Sequence, residues 1–248
     1  LAANDIITID GPSGSGKSTI SRLVAARLGY TYLDTGAMYR AVGYKASKLG
    51  VDLSDGAALA GILENIDLTL APGDGDTRVI LDQEDISLAI RTAEMGLVAS
   101  KVSAQPVVRA KLTEMQRSMG SRGRVVAEGR DTGTVVFPGA RHKFFLDAKP
   151  EERARRRCLQ LCEKGQQADE QEILAQIIKR DRDDSGRSLA PLKPADDAII
   201  VDTSDLTIED VVLLMLEKVE KNRQNSQNNS QGAGKPDGCV KSPGTEFP

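Results

Sequence analysis

The chain has 248 residues, 40% of them apolar and 28% charged, the composition of an ordinary globular protein with one main domain, which excludes fibrous and wholly disordered classes. Lysine and arginine total 33 against 36 acidic residues, so the net charge is −3 and no global basic field exists to hold nucleic acid, while 3% aromatics supply no stacking platform for single strands. No run reaches membrane-spanning length, residues 1–11 lack the basic and apolar regions of a secretory signal, and three cysteines (Cys158, Cys162, Cys239) with one histidine, His142, fall short of a disulfide framework or a four-ligand zinc site. A cytoplasmic protein with no membrane and no nucleic-acid partner is expected, and any phosphate binding has to be local.

Apolar runs of strand length alternate with amphipathic stretches along the chain. Residues 6–9 predict a first strand, and a helix follows with Ile20, Leu23, Val24 and Leu28 on one face. That helix stops at Gly29, which tolerates the left-handed conformation of a helix end. Residues 30–33, 125–127, 143–146 and 198–201 predict further strands. Strands alternating with helices imply an α/β fold with a parallel sheet covered on both faces. Two segments break the alternation. Residues 67–90 carry the turn chemistry and apolar alternation of a small antiparallel hairpin unit. Residues 153–187 hold 7 of the 19 arginines and read as a charged helical pair, its first helix opening at Pro150 with Glu151 and Glu152 near the positive end and finishing at Gly165. A last helix spans 207 to about 221, with Ile208, Val211, Val212, Met215 and Val219 on one side. The tail 222–248, rich in Asn, Gln, Gly, Ser and Pro, is expected to be disordered or fusion-derived and is assigned no function.

Between the first strand and its helix stands Gly11-Pro12-Ser13-Gly14-Ser15-Gly16-Lys17-Ser18, the pattern G-x-x-x-x-G-K-[ST] in the strand-loop-helix context of a phosphate-binding loop. Glycines let successive backbone N–H groups converge on phosphate oxygens, and the helix N-terminus adds its positive dipole end. Lys17 is placed to reach the β and γ phosphates, and the Ser18 hydroxyl to ligate magnesium. Such a loop alone does not separate a GTPase, a motor ATPase and a small-molecule kinase. The guanine-reading N-K-x-D is absent, since Asn-Lys occurs nowhere, and no strand ends in four apolar residues plus Asp-Glu. What remains is a set of isolated arginines, Arg40, Arg91, Arg109, Arg130, Arg180 and Arg187. Phosphoryl transfer between two anions needs such fixed cations to cancel the repulsion of donor and acceptor.

Four motifs carry a more specific resemblance: Asp34-Thr-Gly-Ala-Met-Tyr-Arg40; Ile90-Arg-Thr-Ala-Glu94 followed by Ser100; Glu128-Gly-Arg-Asp-Thr-Gly-Thr-Val-Val-Phe-Pro138; and Arg180-Asp-Arg-Asp-Asp-Ser-Gly-Arg187 with Ala190-Pro-Leu192. In this order the chain, from about 6 to 221, resembles bacterial cytidylate (CMP/dCMP) kinases. The resemblance implies a P-loop nucleoside-monophosphate kinase fold: a five-stranded parallel sheet flanked by helices, a small NMP-binding insertion at about 66–94 and an arginine-rich lid at about 153–187. It implies ATP-dependent, magnesium-requiring phosphorylation of CMP and dCMP by a monomer. Residue by residue, it gives ATP binding to Gly11, Pro12, Ser13, Gly14, Ser15, Gly16, Lys17, Ser18 and Thr19. Arg40 and Arg130 become ligands of the acceptor phosphate, Arg180 and Arg187 lid arginines, and Asp184 a ribose contact. Ser100, Arg109 and Asp131 become the cytosine readers, and Lys17, Arg130, Arg180 and Arg187 the catalytic set. Thr35 stands where many members carry Ser and joins the substrate contacts; Ser18 stands where several carry Gly, which leaves the magnesium hydroxyl open between Ser18 and Thr19.

Taken without the resemblance, the same residues have plainer uses. Asp131 and Ser100 suit helix caps, Arg109 a surface ion pair, and Arg180 with Asp184 an i,i+4 helix pair. Cys158 and Cys162 suit core packing rather than metal, and His142 a structural place. Two other functions stay open: a kinase for another nucleotide or for a metabolite hydroxyl, with Asp34 or Asp131 as base, and a regulatory module that binds ATP without turnover.

Overall fold

The computed structural model describes residues 5–73, 77–163 and 165–232. Five parallel strands form the main sheet: β1 (Ile6–Asp10), β2 (Thr31–Asp34), β6 (Val125–Gly129), β7 (His142–Asp147) and β8 (Ile199–Asp202), in the order β2-β6-β1-β7-β8. All five coincide with the expected apolar runs to within one or two residues. Central β1 is buried at every position because helices cover both faces. Its alternation divides it between them: Ile6 joins the core under one helical layer, Ile7 and Ile9 the core under the other.

The second core packs α1 (Lys17–Leu28) and α8 (Ile208–Gly232) on the sheet through Ile20, Val24, Val212 and Met215. Gly29 ends α1 at φ 63°, and its N–H donates back to the Ala25 and Ala26 carbonyls. The first core holds α2 (Thr35–Lys48), α3 (Gly56–Glu64), α4 (Ala93–Val102) and α5 (Pro106–Gly120), joined by Met38, Leu59, Val102 and Leu112.

Residues 67–90 form a three-stranded antiparallel sheet, β3 (Leu68–Pro72), β4 (Thr77–Leu81) and β5 (Glu84–Asp85). Of the turn-forming stretch 73–77, residues 74–76 lie outside the described residues. The third strand follows Asp82 and Gln83, which both take positive φ (48° and 71°) in a two-residue turn that composition does not announce. Lys45 and Lys48 of α2 pair with Asp82 and Glu84 at 2.7 Å each and hold this sheet against the domain. The arginine-rich segment forms α6 (Pro150–Glu163) and α7 (Glu170–Ser185), packed on one another around Ala154, Ile173 and Ile177, a small core separate from the other two.

Two expectations are corrected. Helix α8 continues to Gly232 rather than ending near 221, so residues 222–232 are helical and not disordered. No Gly or Pro interrupts 208–231, and the first residues of the extension find partners: Arg223 pairs with Asp5 at 3.3 Å and lies over the Tyr30 ring at 5.5 Å, and Asn222 meets His142 Nδ1 at 3.4 Å. The rest of the tail, 233–248, with Cys239, lies outside the described residues. The second correction is Cys162, which is exposed at the end of α6; only Cys158 packs into the α6–α7 core.

Candidate active site

In an open parallel sheet, ligands bind beyond the carboxyl ends of the strands. Here β1 ends at Asp10, in register with Gly129 of β6 and Phe145 of β7, and the chain segments leaving these strands build one cleft of about 180 Å³. The loop leaving β1 takes positive φ at Gly11 (148°), Gly14 (81°) and Gly16 (87°), the conformations its glycines permit. Lys17 opens α1 as a buried side chain, and its Nζ donates to the Pro12 carbonyl at 2.6 Å with Ser15 Oγ at 3.5 Å. Burial, and then the charge of Arg130, hold the ammonium well below its usual pKa against the pull of Glu128.

Asp10 ties the loop after β6 to this one. Its carboxylate accepts from Thr132 N (2.9 Å), Thr132 Oγ1 (2.8 Å) and Gly133 N (2.7 Å), which pins the π-helical turn Thr132–Val136 beside the phosphate loop. Burial pushes the Asp10 carboxyl up to about 6 in spite of those bonds. With that turn fixed, Arg130 and Asp131 face the cleft.

Across the cleft, β2 hands over to α2 through Asp34. Its Oδ1 caps the helix by accepting from Ala37 N (2.8 Å), and its Oδ2 accepts from Arg40 Nη2 (2.9 Å), so one carboxylate starts the helix and aims its arginine. Thr35 Oγ1 donates to the Glu128 carbonyl at 2.6 Å. Asp184, on α7, gathers the cations: Arg130 Nε donates to it at 3.1 Å, Arg187 pairs with its Oδ1, and Arg180 Nε stands 3.9 Å away. Its burial favours the neutral acid, but Arg130, Arg187 and Arg180 together hold the carboxyl below its ordinary value. Ser100 of α4 accepts from Arg187 Nη2 (3.0 Å) and donates to Asp184 (3.3 Å). Arg109 of α5, also buried, pairs with Asp131 and donates from Nη1 to the Ser103 carbonyl at 3.1 Å.

Thr35, Arg40, Ser100, Arg109, Arg130, Asp131, Arg180, Asp184 and Arg187, dispersed through the sequence, thus line one cleft with Ser13, Gly14, Lys17 and Ser18. Gly11, Pro12, Ser15 and Gly16 shape the loop behind its wall, and Thr19 does not line it. The plainer uses fit less well: Asp131 makes no capping bond, Ser100 sits inside α4, and Arg109 is not at the surface. The i,i+4 contact of Arg180 with Asp184 exists, within a cluster of three arginines on one carboxylate.

A family model described as cytidylate kinase matches residues 7–221. The chain belongs to the cytidylate kinase family. A cytidylate kinase of Geobacter sp. strain M21 is 51% identical over 216 residues, covering 87% of this chain and 93% of that protein. One of Carboxydothermus hydrogenoformans is 47% identical over 211 residues, covering 85% and 95%. Among solved structures, a gluconokinase from Sinorhizobium meliloti 1021 aligns with a TM-score of 0.48 at 14% identity, over 93% of this chain and 99% of that one.

Membership of the cytidylate kinase family implies ATP-dependent phosphoryl transfer, which generally uses Mg²⁺, and the residues present fit that ion. Ser18 Oγ donates to Glu128 Oε1 at 2.8 Å, and Glu128 Oε2 is buried without a hydrogen-bond partner. A hydroxyl and a carboxylate oxygen are hard donors, and no group of three or more metal-ligating His, Cys, Asp or Glu exists among the described residues. That is the donor set for an ion completed by phosphates and water rather than by an all-protein cage. Between the two candidate hydroxyls, Ser18 faces the cleft beside Glu128. Desolvation and the nearby Asp34 push the Glu128 carboxyl up to about 7, so a cation there would relieve a charge that burial disfavours.

Sequence reasoning missed the roles of Glu128 and Asp10 and the residue Arg153. Glu128 opens a recognised motif, but nothing local reveals that Ser18 lies across from it. Arg153 is buried at the start of α6, donating to the Ala148 carbonyl (2.8 Å) and the Ser13 carbonyl (3.1 Å) and pairing with Asp181 of α7 at 2.6 Å. It ties the phosphate loop to both α6 and α7, and in the sequence it is one of four arginines between 153 and 157. His142 begins β7 at the far end of the strand from the cleft.

Proposed function

We propose that the protein transfers the γ-phosphoryl group of ATP in line onto the 5′-phosphate of CMP or dCMP, giving ADP with CDP or dCDP. The observation that carries this reading is the single cleft in which a phosphate loop with Lys17, two further arginines (Arg40 and Arg130) and the Arg109–Asp131 pair all present their side chains. The loop amides and Lys17 hold the donor phosphates, and Arg40 and Arg130 hold the acceptor. Arg180 and Arg187, carried on and just after α7, neutralise the charge of the transferring group. Ser18 and Glu128 would hold Mg²⁺, which would supply charge neutralisation on the donor phosphates. No general base is called for, because the acceptor is already an anionic oxygen.

Cytosine presents an N4 donor beside N3 and O2 acceptors. Asp131 and Ser100 oxygens accept from N4 while the Arg109 guanidinium donates to N3 and O2. Uracil has an acceptor at O4 and a donor at N3, so UMP would leave buried polar groups unpaired. The Asp184 carboxylate takes the ribose, Thr35 assists the acceptor, and 66–94 with 153–187 act as NMP-binding insertion and lid of a 1–221 kinase domain. The lid excludes water so that bound ATP is not hydrolysed. With the family resemblance this reading carries the expectation of a cytoplasmic monomer.

The test is ADP release with ATP and Mg²⁺ against CMP, dCMP, UMP, AMP and GMP in parallel, with a no-acceptor control. Rapid turnover on CMP and dCMP with weak use of UMP is expected. Preference for a purine monophosphate would overturn the cytosine site, and tight ATP binding with no acceptor-dependent ADP would point instead to a regulatory module.

A further inference from the structure

Tyr39 lies on α2 one residue before Arg40, almost fully buried on the wall of the cleft. The Arg109 guanidinium carbon stands 5.7 Å from the centre of its ring, within cation–π range, and both side chains are sheltered from water, which strengthens such contacts. Arg109 has two other restraints, the Ser103 carbonyl and the Asp131 carboxylate. Both act along the N–H directions in the guanidinium plane, whereas the ring face of Tyr39 sets the tilt of that plane. Tyr39 thus reaches from α2 to Arg109 on α5 through its ring face.

This arrangement joins two neighbours in sequence to the two ends of the substrate. Tyr39 supports Arg109 while Arg40 faces the cleft, just as Asp131 pairs with Arg109 while adjacent Arg130 meets Asp184. We propose that Tyr39 is a positioning residue for base selectivity: its ring fixes the plane of the Arg109 guanidinium so that it meets the cytosine edge at a set distance from the phosphate arginines. The proposal rests on Arg109 reading the base.

The test is steady-state kinetics with CMP and UMP at saturating ATP for the unaltered protein, Tyr39→Phe, Tyr39→Leu and Arg109→Gln. Tyr39→Leu is expected to raise KM for CMP about tenfold and to lower the CMP-over-UMP ratio of kcat/KM by a similar factor, with KM for ATP unmoved. Tyr39→Phe keeps the ring and is expected to keep the ratio. Tyr39→Met, an apolar filler of adaptable shape, is run beside Tyr39→Leu in case the latter does not fold, and thermal melts identify the folded variants. If Arg109→Gln collapses the ratio and both ring-removing variants preserve it, Tyr39 has no positioning role. Equal losses in Tyr39→Phe and Tyr39→Leu would assign the effect to the hydroxyl and overturn the ring argument. An unchanged ratio in Arg109→Gln would remove the base-reading role of Arg109, and this proposal with it.

Discussion

At the residue scale, the site is a set of buried charges that hold one another in place. Arg187 touches both Ser100 of α4 and Asp184 of α7, so it links these two helices while presenting charge to the cleft. Arg187→Ala is expected to lower turnover by about two or more decades, read as CMP-dependent ADP release. Undiminished turnover, or ATP consumed without CDP formed, would count against its role on the transferring group. His142 makes a different case, one of stability. Burial, helped by the charge of Arg141, lowers its pKa from 6.5 to about 4. Between those values the unfolded chain binds a proton that the folded chain refuses, so this residue makes stability fall as the pH drops through that window, by up to about 1.4 kcal/mol per pH unit. Glu128 and Asp10, both raised, act with the opposite sign, so the comparison has to be between proteins. Melting temperatures from pH 7 to 4.5 should fall less steeply in His142→Gln than in the unaltered chain; parallel curves would show that His142 titrates normally.

At the scale of elements, the phosphate loop is shaped by what it passes. Gly11 has φ 148°, and a Cβ added there would overlap the Leu146 carbonyl oxygen of β7. Neither atom has room to move, since β7 is paired on both sides, with β1 and β8. Gly11→Ala is expected to cost more than about 3 kcal/mol, through positive φ together with backbone overlap, and to abolish ATP binding in whatever fraction folds. Urea unfolding and nucleotide titration read the two effects separately. The glycine pattern of this loop was plain in the sequence, as were the five strands. The third strand of the small sheet was not, because Asp82-Gln83 is an unusual pair for a turn with two positive φ values.

At the scale of the whole molecule, three separate cores divide the labour. Two sandwich the sheet, and the third lies between α6 and α7, so these two helices have packing of their own and are tied to the phosphate loop through Arg153 and Arg180. A body with its own small core and polar attachments can move as a unit when nucleotide replaces those attachments. The extended α8 does the reverse at the other end of the sheet, where Arg223 joins Asp5 and Tyr30. Ending the chain after residue 221 is expected to remove about 1 kcal/mol and lower Tm by roughly 2–4 °C, with CMP kinetics intact, in a thermal melt paired with an activity assay. An unchanged Tm would mean that this contact adds nothing in solution.

Local physics made the phosphate loop, the strand and helix order and the end of α1 at Gly29 readable from sequence, because each depends on neighbours a few residues apart: glycine conformations, apolar period and capping. The motifs around Arg40, Ser100, Asp131 and Arg187 pointed to a family, and through it to their roles. The sequence could not say that Ser18 meets Glu128, 110 residues away, that Asp10 pins Thr132 and Gly133, or that Tyr39 lies under Arg109. Nor could the composition of the tail disclose that residues 222–232 extend a helix with partners on the domain. The site contacts come from the assembly of the parallel sheet, which brings the carboxyl ends of β1, β2 and β6 together, and the helix extension from contacts at the opposite end. In the cleft, charges distant in sequence lose enough water to perturb one another.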